Sequence, residues 1–93
     1  MRGWIYWITC KDKHIKDDYI GSTNNLHRRL MEHKRLSRFK NRKIYNCIRE
    51  NGGWDNWDIN IIDIDIYNNI RELQTKEAKI IKVFSPSLNI KVS

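Results

Sequence analysis

The run Trp4-Ile5-Tyr6-Trp7-Ile8-Thr9-Cys10 carries apolar side chains at both parities, so a strand made from it has no face to give to water. Side chains alternate across a strand, and a segment that is apolar on both sides has to be covered on both sides. That is the condition of a central strand in a sheet with layers above and below. A chain of 93 residues has to meet it within one modest core. It buries roughly 60 to 65% of its unfolded surface, which suits a single domain spanning 1–93 with no room for a separate recognition domain.

The remainder supplies what such a strand needs. Residues 11–16 are a polar connection, and 18–22 read as a second strand, antiparallel because the loop is short, with Gly21 where the backbone needs room. This hairpin brings Tyr6 and Tyr19 near one another. Thr23 is placed to cap a helix over 24–36, with Leu26, Leu30 and Met31 as its apolar stripe. Arg29 and His33 border that stripe, four residues apart and therefore on one face. After a basic connector over 37–42, a second helix over 43–50 buries Ile44, Cys47 and Ile48 until Asn51-Gly52-Gly53 stops it. Residues 58–66 alternate as a third strand, except that the parity slips at Ile61-Ile62. The slip means either a bulge or a strand that uses both faces. A last helix over 69–83, with Ile70, Leu73, Ile80, Ile81 and Phe84 at helical spacing, stops before Pro86. The expected architecture is α+β, a small three-stranded, largely antiparallel sheet flanked by helices.

Charge indicates the partner. The chain holds 18 Lys and Arg against 11 Asp and Glu, and its whole excess of +7 lies in one stretch. Arg28, Arg29, Lys34, Arg35, Arg38, Lys40, Arg42 and Lys43 are opposed there by Glu32 alone. A concentrated basic segment suits a polyanion-binding face, and Arg28, Lys34, Arg35, Arg38, Lys40, Arg42 and Lys43 are the candidate nucleic-acid contacts. The bland alternative is a solvated face kept basic for solubility. Cys10 and Cys47 are too few for a disulfide framework or a Cys-rich zinc site, and read as reduced core residues. The apolar run at the N-terminus is short and ends at Lys11, and no segment approaches membrane-spanning length, so an intracellular protein with no membrane partner is expected.

Several residues carry possible chemistry. Arg29 offers a bidentate grip on a phosphate oxygen, and His33 beside it offers a proton acceptor or a partner for a tyrosine hydroxyl. A phenol near its ordinary pKa of about 10 is a poor base, so a catalytic Tyr6 or Tyr19 calls for nearby positive charge. Glu77, four after Leu73 and three before Ile80, falls on the stripe its helix should bury. A carboxylate there either forms an ion pair with a Lys or Arg, or faces a cleft and binds a cation. A single carboxylate completed by water and phosphate suits Mg²⁺.

The ordered series G-x-I-Y (Gly3 to Tyr6), Y-I-G-S-T (Tyr19 to Thr23), L-x-x-R-x-x-x-H (Leu26 to His33), Glu77 and Leu88-Asn89 resembles the catalytic domain of the GIY-YIG nucleases over nearly the whole chain. The resemblance implies an endonuclease that hydrolyses DNA phosphodiesters with Mg²⁺ or Mn²⁺, leaving a 5′-phosphate and a 3′-hydroxyl. It implies that Tyr6 helps activate water, Tyr19 positions the water or phosphate, and Arg29 is the catalytic arginine. His33 joins them, Glu77 binds the metal, and Asn89 closes the site. Two departures stand out: Trp4 separates Gly3 from Ile5, and Asp17-Asp18 precede Tyr19, where they are expected to face solvent at the hairpin edge. The competing readings are a non-catalytic basic nucleic-acid-binding module of the same fold and a nuclease acting on RNA. Targeting by a protein partner is one way such a lone unit would find its substrate.

Overall fold

A computed structural model describes residues 1–89. Three strands, β1 (Arg2–Cys10), β2 (Asp18–Thr23) and β3 (Trp57–Ile66), form one antiparallel sheet in the order β2-β1-β3. The helices are α1 (Leu26–Leu36), α2 (Lys43–Glu50) and α3 (Ile70–Phe84), with a short 3-10 turn at Trp54–Asn56 before β3. β1 is central, as its two apolar faces require, and it divides the core in two. Tyr6 and Ile8 join Ile44, Tyr45 and Ile48 of α2, together with Trp57 and Leu88, on one side. Ile5 joins Ile20, Tyr67 and Leu73 of α3 on the other. The chain is thus α+β, a three-stranded antiparallel sheet with helices on both faces.

The parity slip in β3 is a bulge. Ile5 pairs with Asp63 and Tyr6 with Ile61, leaving Ile62 as the extra residue beside Tyr6. A bulge bends its strand and increases local twist, and here it does so at the first motif's tyrosine. On the other side of β1, Tyr6 pairs with Gly21. A β-carbon built on Gly21 would lie 2.4 Å from the Tyr6 hydroxyl oxygen, so the glycine is there to make room for a ring. Gly3 has an analogous task, since a β-carbon would meet the Leu73 methyls and the Tyr67 ring at 2.9 Å.

Three local expectations differ from the structure. The cap of α1 is Asn25, whose side chain accepts from the Arg28 amide. Thr23 acts one step back, its hydroxyl accepting from the Asn25 amide and donating to the Asn25 carbonyl. Met31 does not join the buried stripe; it is 53% exposed, and the only α1 residue fully buried is His33. Asp17 and Asp18 do not face open solvent. Asp18 accepts from the Trp7 indole at 2.9 Å and from the Ser87 amide at 3.0 Å, while the Ser87 hydroxyl donates to Asp17 at 2.8 Å. The two acids therefore strap the C-terminal segment to the start of β2.

Gly21→Ala is expected to lower stability by about 2 to 3 kcal/mol through overpacking against Tyr6. A urea midpoint equal to that of the wild type would show that the ring does not press on β2.

Candidate active site

Alternation along β2 sets the geometry. Tyr19 and Gly21 project to the α2 side of the sheet with Tyr6, while Ile20 and Ser22 project to the α3 side. The rings of Tyr6 and Tyr19 lie 6.5 Å apart, centre to centre, and His33 sits edge-on to both at 5.7 Å. His33 is 1% exposed, and both its ring nitrogens are engaged: Nε2 with the Tyr6 hydroxyl at 2.7 Å and Nδ1 with the Tyr45 hydroxyl at 2.9 Å. Trp54 stacks beside the imidazole at 6.3 Å. Trp54 and Trp57 therefore pack the protein interior, Trp57 fully buried and bonded to the Asn51 carbonyl.

Burial governs the charge state here. It lowers the His33 pKa to about 4, with Arg29 adding to the effect, so the imidazole is neutral at pH 7. It also pushes the Tyr6 hydroxyl well above its ordinary range, and Tyr19 up as well, although the Arg29 charge works in the opposite direction. Nearby positive charge was the condition set for a phenolate, and the cation is present but outweighed. Tyr6 is a neutral phenol bonded to a neutral imidazole, a pair suited to passing a proton along rather than to holding a negative charge.

Arg29 forms an ion pair with Glu32, one turn along α1. It also lines a cavity of about 220 Å³ with Tyr19, Arg42, Lys43, Ile44, Tyr45, Leu88 and Asn89. Three cations, with two tyrosines and an asparagine among the other lining residues, make that cavity fit for a phosphate. Asn89 does its structural work with both ends of its amide: the oxygen accepts from the Ile20 N–H at 2.9 Å and the nitrogen donates to the Ile20 carbonyl at 2.7 Å. It clamps β2 while forming part of the cavity wall. Arg28, Lys34, Arg35 and Arg38 line a second, larger groove of about 530 Å³ with Met31 and Glu32. Lys40 lies exposed on the connector between the two basic groups.

Glu77 comes from α3, on the opposite face of the sheet. Its Oε2 accepts from the Ser22 hydroxyl at 2.9 Å, and among the described residues it forms no ion pair. The neighbouring Lys76 is taken instead by Asp63 at 2.8 Å. Burial raises the Glu77 pKa against the Ser22 hydrogen bond and the Arg29 charge, so the carboxylate is one that a further cation would stabilise. Its charge acts on Tyr6 and Tyr19 across β2, the edge strand. No group of three or more His, Cys, Asp or Glu among the described residues could hold a metal by itself. The donor chemistry fits a hard cation that keeps water and phosphate as its other ligands rather than a zinc-type cage.

The structure thus gathers Tyr6, Tyr19, Arg29 and His33, brings Glu77 within electrostatic reach of them, and sets Asn89 in the cavity wall. Tyr45 and Ser22 were not singled out from the sequence. For Tyr45 a signal existed: three before Ile48 and one after Ile44, it shares the stripe of α2. Ser22 had none beyond its place in Y-I-G-S-T.

With this geometry in view, the chain matches the family model described as the GIY-YIG catalytic domain over residues 2–89. It belongs to that nuclease family. No curated protein and no solved structure matches it.

The His33 environment has a stability consequence. The unfolded chain takes up a proton near pH 6.5 that the native imidazole refuses until about pH 4, so His33 erodes stability as pH falls through that window, by roughly 3 kcal/mol in all. Glu77, with its raised pKa, works in the opposite direction. Chemical denaturation of wild type and His33→Gln at pH 7 and pH 4.5 should show the variant losing less stability on acidification. Parallel losses would mean that the imidazole is not held neutral.

Proposed function

We propose that the chain is a metal-dependent endonuclease that hydrolyses DNA phosphodiesters at the cavity beside Tyr6 and His33. The observation that carries this reading is the buried Tyr6–His33 hydrogen bond next to a pocket walled by Arg29, Arg42 and Lys43. In this scheme a water lies against the Tyr6 hydroxyl, in line with the scissile bond. As the water attacks phosphorus, its proton passes to the Tyr6 oxygen while the Tyr6 proton passes to Nε2 of the neutral His33. The imidazolium so formed stays close to the anionic transition state. Arg29 and Tyr19 stabilise the charge that builds on the phosphoryl oxygens, in a site where burial strengthens each interaction.

Glu77 is the residue that would hold Mg²⁺ or Mn²⁺. When bound, the ion supplies electrostatic polarisation of the phosphate and eases departure of the leaving oxygen. The basic groove along α1, with Arg28, Lys34, Arg35 and Arg38, is a surface for phosphates outside the scissile one. The net charge of +7 and its confinement to residues 28–43 favour a polyanionic substrate.

Wild type is expected to nick supercoiled plasmid with Mg²⁺ or Mn²⁺ and not with EDTA. Glu77→Ala should lower the rate about a hundredfold or more while retaining salt-sensitive binding. Salt-sensitive binding with no cleavage of DNA or RNA by the wild type would identify a binding module instead.

A further inference from the structure

The imidazole of His33 is neutral, so only one of its two nitrogens carries a proton, and the two engaged hydroxyls have to divide the roles of donor and acceptor between them. If Nε2 holds the proton, it donates to Tyr6 and cannot receive one. If Nδ1 holds it, that N–H donates to Tyr45 and leaves the Nε2 lone pair for the Tyr6 hydroxyl. Proton transfer from Tyr6 is open in the second arrangement only.

Tyr45 is the residue able to choose between them. Tyr45 is 3% exposed and its hydroxyl meets His33 Nδ1, and it also lines the 220 Å³ cavity with Arg29, Arg42 and Lys43. Among the described residues, the Tyr45 hydroxyl has no other partner than His33. A phosphate in that cavity is an acceptor with no proton to give. Once it takes the Tyr45 O–H, the Tyr45 oxygen is left to accept, and the nitrogen it faces has to donate.

We propose that Tyr45 is the positioning residue of the site, turning phosphate binding into selection of the Nδ1–H tautomer of His33 and so opening Nε2 to the Tyr6 proton. Tyr45 acts in the phosphodiester hydrolysis described above and makes or breaks no covalent bond itself. The groups facing His33 are Tyr6 from β1, Tyr19 from β2, Arg29 from its own helix and Tyr45 from α2, with the uncharged Trp54 stacked alongside. None of these is an anion at neutral pH, so no carboxylate competes to fix the tautomer.

Two measurements test this. The first uses ¹⁵N-histidine-labelled protein and a short DNA duplex in EDTA, where no cutting occurs. The His33 nitrogen signals, assigned by their absence in His33→Gln, should move toward the Nδ1–H pattern as duplex is added to wild type. In Tyr45→Phe they should not move, although the duplex still binds. The second is steady-state cleavage: Tyr45→Phe should lose about tenfold to a hundredfold in kcat, with KM changed less than about threefold, and its acidic limb should shift relative to wild type. Nitrogen signals that respond to duplex in Tyr45→Phe as they do in wild type, or that stay fixed in wild type when duplex is bound, overturn the proposal. So does a Tyr45→Phe enzyme with wild-type kcat and pH profile. Should wild type cut nothing at all, the nuclease reading fails, and the titration still decides the role of Tyr45. The titration of wild type also decides if Tyr45→Phe does not fold.

Discussion

One imidazole, shut away from water with a tyrosine on each nitrogen, joins two helices to the central strand. Through His33 the helix α1 is joined to Tyr6 on the central strand and to Tyr45 on α2. No other side chain of α1 is fully buried, and its leucines are only partly so, so the helix is seated by this polar contact as much as by apolar packing. A buried polar network of this kind is tolerable because each member is satisfied, and no buried side-chain polar atom among the described residues lacks a partner. The same satisfaction fixes where Tyr6 can point, which is why Gly21 has to lack a side chain, and the β3 bulge lies beside the same tyrosine. Folding and chemistry make the same demand on these residues.

Much of the scaffold was legible because it follows from periodicity. The two apolar parities of residues 4–10 set the central strand and the short loop before Asp18 set the antiparallel hairpin, while the doubled isoleucine at 61–62 left a bulge or a two-faced strand open until the pairing decided for the bulge. The family motifs placed Tyr6, Tyr19, Arg29 and His33 in one neighbourhood, and the structure brings those four together. What stayed hidden depends on contacts between residues distant in sequence. Asp17 and Asp18 look like a solvated edge until Trp7 and Ser87 are seen to bind them. The family resemblance put Asn89 at the site, and only the structure shows that its amide is bonded at both ends to the backbone of Ile20. The charge state of Tyr6 was out of reach too, since only the depth of burial decides whether desolvation or the Arg29 cation prevails.

Charge is sorted across the molecule. The cations of α1 and the start of α2 line open grooves, and Glu32, the one acid in that stretch, is held by Arg29. The acids of β3 lie elsewhere, where Asp63 and Asp65 share Lys76. The cation-lined helical side is thus the one whose charge is complementary to a polyanion.

The strap between Ser87 and the acids of β2 bears on the order in which the protein comes into being. Two walls of the cavity, Leu88 and Asn89, are added some seventy residues after the strand they grip, Leu88 through the Asp18 carbonyl and Asn89 through Ile20. On a ribosome the tyrosines and the basic helix emerge early, but the pocket between them has no floor until those last contacts close. A contact so distant along the sequence is among the slowest to form. The pocket is therefore whole only once the C-terminal contacts have closed on β2.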